Sequence, residues 1–162
     1  MARIYVSIGS NIEREQNIRA GLVDLEARFG PLILSTVYES EAVGFSGDNF
    51  YNLVAAFDTA LDPQQVAAEL RAIEEDHGRV RNGPRFSSRT LDIDLLLYDD
   101  AVLQEGKLEL PREEITRNAF VLLPLAEIAP DLEHPVLHRR YAELWADFDQ
   151  ASQPLWPVEL PR

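Results

Sequence analysis

Two acids one residue apart, Asp92 and Asp94, lie in the stretch 91–98, where every other residue except the closing tyrosine is aliphatic. If that stretch is a strand, side chains alternate, so both carboxylates leave one face together with Leu96 and Tyr98. Leu91, Ile93, Leu95 and Leu97 then point to the other face. Two carboxylates so placed are about 7 Å apart at the backbone, and their oxygens can share one or two hard cations. Left alone they repel. A pair of Mg²⁺ ions about 3.5–4 Å apart would cancel the repulsion and leave positions open for phosphate oxygens. For an arbitrary Asp-x-Asp, solvation or pairing with arginine is the commoner fate, so the neighbourhood has to decide.

Upstream, Arg79, Arg81, Arg85 and Arg89 fall within eleven residues that contain no acid. A solvated basic loop is the plain reading. Yet the basic residues are all arginine, whose planar fork takes phosphate oxygens bidentately, and Gly83-Pro84 and Ser87-Ser88 give the stretch the character of a mobile loop. A positively charged loop able to close over a carboxylate pair suits a polyphosphate substrate.

A second group is aromatic. Phe50 and Asn52 share a strand face, and Phe120 stands further along. Aromatic residues in strands are usually core, but an amide two residues from a ring can hydrogen-bond the edge of a planar heterocycle stacked on that ring. Other constellations fail. His134 and His138 have metal-ligand spacing, but Pro135 disfavours a helix and no third ligand is evident, so both read as surface histidines, with His77 a helix-end cation. There is no Gly-x-Ser-x-Gly and no Gly-x-x-x-x-Gly-Lys, so phosphate chemistry must rest on metal and arginine.

The elements that must position these residues follow from periodicity. Ile4, Val6 and Ile8 alternate up to Gly9, as in a strand. Ser10 or Asn11 can cap a helix with Ile18, Leu22, Leu25 and Phe29 on one stripe, stopped by Gly30-Pro31. Residues 32–38 and 50–59 read as strands two and three. Asp62, Pro63 and Gln65 are the N-cap, N1 proline and N3 amide of a second helix with Val66, Leu70 and Ile73 on one face, ending at Gly78. Residues 91–98 are strand four. The order is that of an α+β, ferredoxin-like βαββαβ fold, an antiparallel sheet with both helices on one face and the other face open. A C-terminal extension follows, comprising a Pro-bounded segment 110–124, an amphipathic piece with Tyr141, Leu144, Trp145 and Phe148, and a Pro-rich tail. No linker divides the chain, which reads as one domain over 1–162, its core at about 1–100 and a less regular part at about 101–162.

Composition sets the outer bounds. Of 162 residues 46% are apolar and 27% charged, enough for a core. Asp and Glu number 28 against 15 Lys and Arg, a net charge of -13, whose field repels nucleic acid and anionic membranes. The chain has no cysteine, which removes thiolate nucleophiles, disulfides and Cys-ligated metals. No apolar run approaches the roughly 20 residues of a membrane span and the N-terminus is not a secretory block, so a cytoplasmic monomer is expected.

On Gly9-Ser10-Asn11, Asn52, Glu74, Gly78-Arg79-x-Arg81, Phe120 and above all the run from Arg89 through Asp92 and Asp94 to Tyr98, the chain resembles the 6-hydroxymethyl-7,8-dihydropterin pyrophosphokinases over nearly its whole length. The resemblance implies transfer of the β,γ-diphosphoryl group of ATP to the pterin hydroxymethyl oxygen, with AMP leaving, in folate biosynthesis. It implies two Mg²⁺ on Asp92 and Asp94, and Arg79 and Arg89 on the transferring group. Phe50 and Phe120 would sandwich the pterin ring, Asn52 would bond its edge, and backbone groups near Ser40 and Val43 would complete that edge. Glu74, Arg81, Arg85, Phe86, Leu95 and Lys107 would meet the nucleotide, Arg81, Arg85 and Phe86 from a closing lid. Two departures stand out: Pro111-Arg112 where the family often has histidine after the proline, and Asn118, with Arg117 before it, where a basic residue is common. The rival from another class is a ferredoxin-like module that binds pterin or nucleotide without chemistry; a relative that keeps the pterin site but has lost productive ATP binding is a third.

Overall fold

The computed structural model describes residues 1–41, 47–77 and 91–160. The chain opens with β1 (Ala2–Ser10) and α1 (Arg14–Phe29), followed by β2 (Ile33–Leu34), β3 (Val37–Ser40), β4 (Phe50–Thr59) and α2 (Pro63–Asp76). It continues through β5 (Asp92–Tyr98), the hairpin β6 (Leu103–Glu105) and β7 (Leu108–Leu110), α3 (Glu114–Arg117), α4 (Ala119–Ile128) and α5 (Tyr141–Ala146), and reaches β8 (Leu155–Val158) after a 3-10 turn at Gln150–Ser152. The main sheet runs β5-β1-β4-β3-β8, with β2 also on β4, and every pairing is antiparallel. Its first four strands have the ferredoxin-like order; β8 adds a fifth at the far edge.

α2 forms as its sequence dictates. Asp62 accepts from the Gln65 backbone N–H while the Gln65 side chain accepts from the Asp62 N–H, and Pro63 occupies the first turn. α1 keeps its expected stripe, with Ile18 and Leu25 fully buried, but starts differently. Ser10, the last residue of β1, and Asn11, in the turn that follows, are buried, the Ser10 hydroxyl donating to Ile12 O, and the helix begins after Glu13, in left-handed conformation at φ 42°. Burial of that stripe, about 1.5–3 kcal/mol per large aliphatic residue, outweighs a missing side-chain cap worth about 1 kcal/mol. The single strand expected over 32–38 is two short ones, because the Ser35 hydroxyl accepts from the Val54 N–H, between them, in place of a regular rung.

Two cores lie on opposite faces of the sheet. Ile4, Val6, Ile8, Leu53, Phe57, Ile93 and Leu95 pack under α1 and α2 with Ile18, Leu25, Val66, Leu70 and Ile73. The other face is not open, as the periodicity suggested. Tyr5, Val54, Ala56, Leu96 and Leu97 pack there against Ile115, Val121, Leu122, Leu125 and Tyr141 of α3, α4 and α5. The supposedly irregular C-terminal part is thus a second helical layer, even with Pro124 inside α4. The end of β5 is also corrected. The register against β1 shifts between Tyr5 and Val6, which pair with Leu97 and Leu95, so Leu96 is an extra residue and the alternation flips. Leu97 therefore joins the second core, and Tyr98 packs on the helix side with its hydroxyl donating to Leu61 O at 2.6 Å.

His134 is a further correction: it is 7% exposed, and its Nδ1 accepts from the Val136 and Leu137 N–H groups. Only His138 of that pair is on the surface. His77 caps α2 and meets Asp24 at 2.8 Å. No described helix is long and apolar enough to cross a membrane.

Candidate active site

Strand register, more than sequence proximity, assembles the site. Gly9 of β1 stands opposite Asp92 of β5 on one side and Asn52 of β4 on the other, and Asn52 stands opposite Tyr38 of β3. One row down, Ser7 is opposite Asp94; in the other direction along β4, Ser40 is opposite Phe50. Partners across antiparallel strands share a face, and this is the face of Tyr5 and Val54, so both aspartates, Gly9, Asn52, Ser40 and Phe50 project toward the C-terminal layer. With strands about 4.8 Å apart, Asp92 and Asn52 are about 10 Å apart at the backbone, with only β1 between them. The flip at Leu96 comes after both aspartates, so their common face is unaffected.

Gly9 is required by close approach. A Cβ built there would lie 2.5 Å from Asn52 Oδ1, so the Asn52 amide lies over the bare backbone of β1. Asn52 is 7% exposed, which fixes the side chain that the sequence marked for heterocycle recognition. Ser40, also 7% exposed, has a buried hydroxyl with no hydrogen-bond partner among the described residues. An orphaned hydroxyl beside Phe50 costs about 1–3 kcal/mol and is expected where a ligand completes the bonding. Phe120, in the first turn of α4, is half-buried at the margin of the second core, on this same side of the sheet.

At the other end of the row both aspartates are half-buried. Arg112, which departs from the family pattern in sequence, has its Nη2 3.6 Å from Asp94 Oδ1 and its Nε 2.6 Å from Glu114 Oε2. Burial works against the Arg112 charge, but Asp94, Glu114 and Asp92 outweigh it and raise its pKa above the usual arginine value. The guanidinium is anchored through its own backbone, the Arg112 N–H donating to Leu96 O at 3.0 Å. The site residues thus include a fixed cation that no spacing in the sequence signals.

Of the residues marked for nucleotide contact, Glu74 is 3% exposed and its Oε2 accepts from the Ile93 N–H at 2.8 Å, which ties the last turn of α2 to β5 between the two aspartates. The Leu95 side chain is in the helix-side core, so only its backbone, on the edge strand β5, can meet a ligand. Lys107 is exposed in the two-residue turn between β6 and β7. Val43, Arg79, Arg81, Arg85, Phe86 and Arg89 lie outside the described residues.

The donor set fits a hard cation. Among the described residues no three His, Cys, Asp or Glu side chains cluster as a complete metal cage, and two carboxylates on one strand face leave most coordination positions to water and phosphate oxygens, the usual Mg²⁺ arrangement. One end of the row thus carries Asp92, Asp94 and Arg112, and the other carries Phe50, Asn52 and Ser40, with Phe120 on the same face of the sheet.

Residues 5–130 match the model of the 7,8-dihydro-6-hydroxymethylpterin-pyrophosphokinase family. The chain is 34% identical over 145 residues to the 2-amino-4-hydroxy-6-hydroxymethyldihydropteridine pyrophosphokinase of Aquifex aeolicus, spanning 88% of this chain and 90% of that protein. It is 40% identical over 137 residues to the enzyme of the same name from Pseudomonas aeruginosa, spanning 82% and 84%. Among solved structures, Plasmodium falciparum HPPK-DHPS superposes with TM-score 0.68 at 15% identity, covering 90% of this chain but only 44% of that one, a likeness of fold.

Proposed function

Because the chain belongs to the 7,8-dihydro-6-hydroxymethylpterin-pyrophosphokinase family, ATP-dependent enzymes that pyrophosphorylate hydroxymethyldihydropterin in folate synthesis, we propose that ATP occupies the aspartate end of the row and the pterin its aromatic end. The observation that carries this is the register: Asp92, Gly9 and Asn52 stand side by side on one face, about 10 Å from end to end. A nucleotide tail at one end and a hydroxymethyl group at the other then meet over β1.

In the reaction, the hydroxymethyl oxygen bonds to the β-phosphorus of ATP, the bond from that phosphorus to the bridging α,β oxygen breaks, and AMP leaves with that oxygen while the hydroxyl proton is released. Asp92 and Asp94 would hold two Mg²⁺, which would supply charge neutralisation on the phosphate oxygens. Arg112, and Arg79 and Arg89 by family resemblance, add fixed positive charge. The pterin ring lies between Phe50 and Phe120, with the Asn52 amide and the Ser40 hydroxyl on its polar edge and Val43 beside them. Glu74 acts at the nucleotide end by holding β5 in place. Arg81, Arg85, Phe86, the Leu95 backbone and Lys107 complete the nucleotide's surroundings. The chemistry needs positioning and electrostatics more than a nucleophile, which accords with a site of carboxylates, amide and rings.

The same reading takes residues 1–162 as one domain acting as a cytoplasmic monomer. Support for the single domain is that one sheet incorporates both β1 and β8. Incubation with Mg²⁺, ATP and hydroxymethyldihydropterin should yield AMP and the pterin diphosphate; formation of ADP instead would overturn the assignment.

A further inference from the structure

The family match ends at residue 130, yet the chain beyond it returns to the site. Asn118, the N-cap of α4, makes no side-chain capping bond, so the first N–H groups of the helix that carries Phe120 need another partner. Gln153 supplies it. Its Oε1 accepts from the Ala119 N–H at 2.9 Å and its Nε2 donates to Arg117 O at 2.8 Å. One amide thus clamps the backbone on both sides of Asn118, two residues before Phe120. Two residues after Gln153, Leu155 pairs with Ser40 of β3, and Ser40 pairs with Phe50. The three-residue strap Gln153-Pro154-Leu155 therefore ties the α4 wall of the ring site to the sheet wall. At its other end α4 is tied to the sheet by Glu127, which accepts from the Thr36 N–H and hydroxyl and from the Tyr38 hydroxyl.

We propose that Gln153 is a positioning residue for pterin binding, acting as the helix cap that α4 lacks and setting the gap between Phe120 and the Phe50–Asn52 strand. The inference rests on the reading that Phe120 stacks on the pterin. Without the amide the α3–α4 junction frays, Phe120 populates its binding position less, and apparent pterin affinity falls by that fraction. ATP, at the far end of the row, is not affected.

The test compares Gln153→Ala, Gln153→Glu and Phe120→Ala by steady-state kinetics and by calorimetric titration of hydroxymethylpterin with Mg²⁺ and a non-hydrolysable ATP analogue present. Gln153→Ala is expected to raise pterin KM and Kd about fivefold, the equivalent of one lost cap, with kcat and ATP KM within about twofold. Gln153→Glu keeps the acceptor for Ala119 but sets a carboxylate oxygen against Arg117 O, so it should recover part of the loss at most. Should the alanine variant aggregate, Gln153→Met keeps the bulk and removes both hydrogen bonds. Unchanged pterin affinity in a folded Gln153→Ala, or an equal loss for pterin and ATP, overturns the proposal while the Phe120 reading stands. Unchanged affinity in Phe120→Ala removes that reading and the proposal with it.

Discussion

Arg112 Nη2 stands 3.6 Å from Asp94 Oδ1, so the carboxylate pair on β5 is faced by a cation from the segment after β7. A positive charge this close opposes any cation the aspartates bind. Arg112→Met is expected to tighten Mn²⁺ binding several-fold, read by water-proton relaxation without nucleotide. A midpoint that stays put or moves to higher Mn²⁺ would show that the guanidinium does not compete.

Asp94 itself is expected to be indispensable for turnover and dispensable for folding. It is a half-buried residue on an edge strand, so Asp94→Asn should cost about 1 kcal/mol or less in a denaturant titration. AMP formation should fall at least about a hundredfold, in keeping with the loss of a group that organises transition-state charge. Wild-type rates would refute its assignment.

At Gly9 one added methyl group disturbs the ring end. With 2.5 Å between its virtual Cβ and Asn52 Oδ1, Gly9→Ala must expel the amide. Overpacking of this kind costs about 1–3 kcal/mol. Pterin KM should rise about tenfold while ATP KM stays near its normal value, since losing one well-made hydrogen bond costs about 1.4 kcal/mol or more. Equal pterin affinity in the variant would mean that Asn52 does not read the ring.

Glu74 supports β5 from behind. Glu74→Ala leaves the Ile93 N–H buried without this acceptor, a loss of about 1–3 kcal/mol, whereas Glu74→Gln keeps an oxygen in place and should restore at least half of it. Thermal unfolding of the two variants in parallel separates an acceptor role from mere bulk.

His134 is expected to make the C-terminal layer acid-sensitive. Burial first, and the neighbouring His138 second, hold its pKa below 6.5, and its Nδ1 is committed as an acceptor. Above pH 6.5 the folded and unfolded chains are both neutral there and this contribution is intact. As pH falls below 6.5 the unfolded chain takes the proton first, so stability is lost toward the lower folded value, by at most about 1.4 kcal/mol per pH unit. Urea titrations at pH 7.5 and 5 should show the loss, and His134→Gln should flatten it; an identical pH slope in the variant would exclude His134 as the cause.

Much of the site could be read along the chain because strand periodicity is local. Alternation alone places Asp92 with Asp94, and Phe50 with Asn52, on shared faces, and the Asp62–Gln65 capping box starts α2 where expected, since these depend on residues within a few positions of each other. Composition likewise excluded cysteine chemistry without reference to any fold. Tertiary structure decided what depends on partners far away in sequence. The bulge at Leu96 exists because β1 and β5 fit each other only with one extra residue, and it reverses Leu97 and Tyr98 against their periodicity. The second face is covered because α4, apolar nearly all round, has to bury itself and the sheet offers Val54, Leu96 and Leu97. Arg112 beside Asp94, Gly9 beneath Asn52, and Gln153 across Asn118 join residues 18, 43 and 35 positions apart, and no pattern of neighbours encodes such contacts. They arise when the hydrophobic layers close and polar groups carried into proximity must find one another.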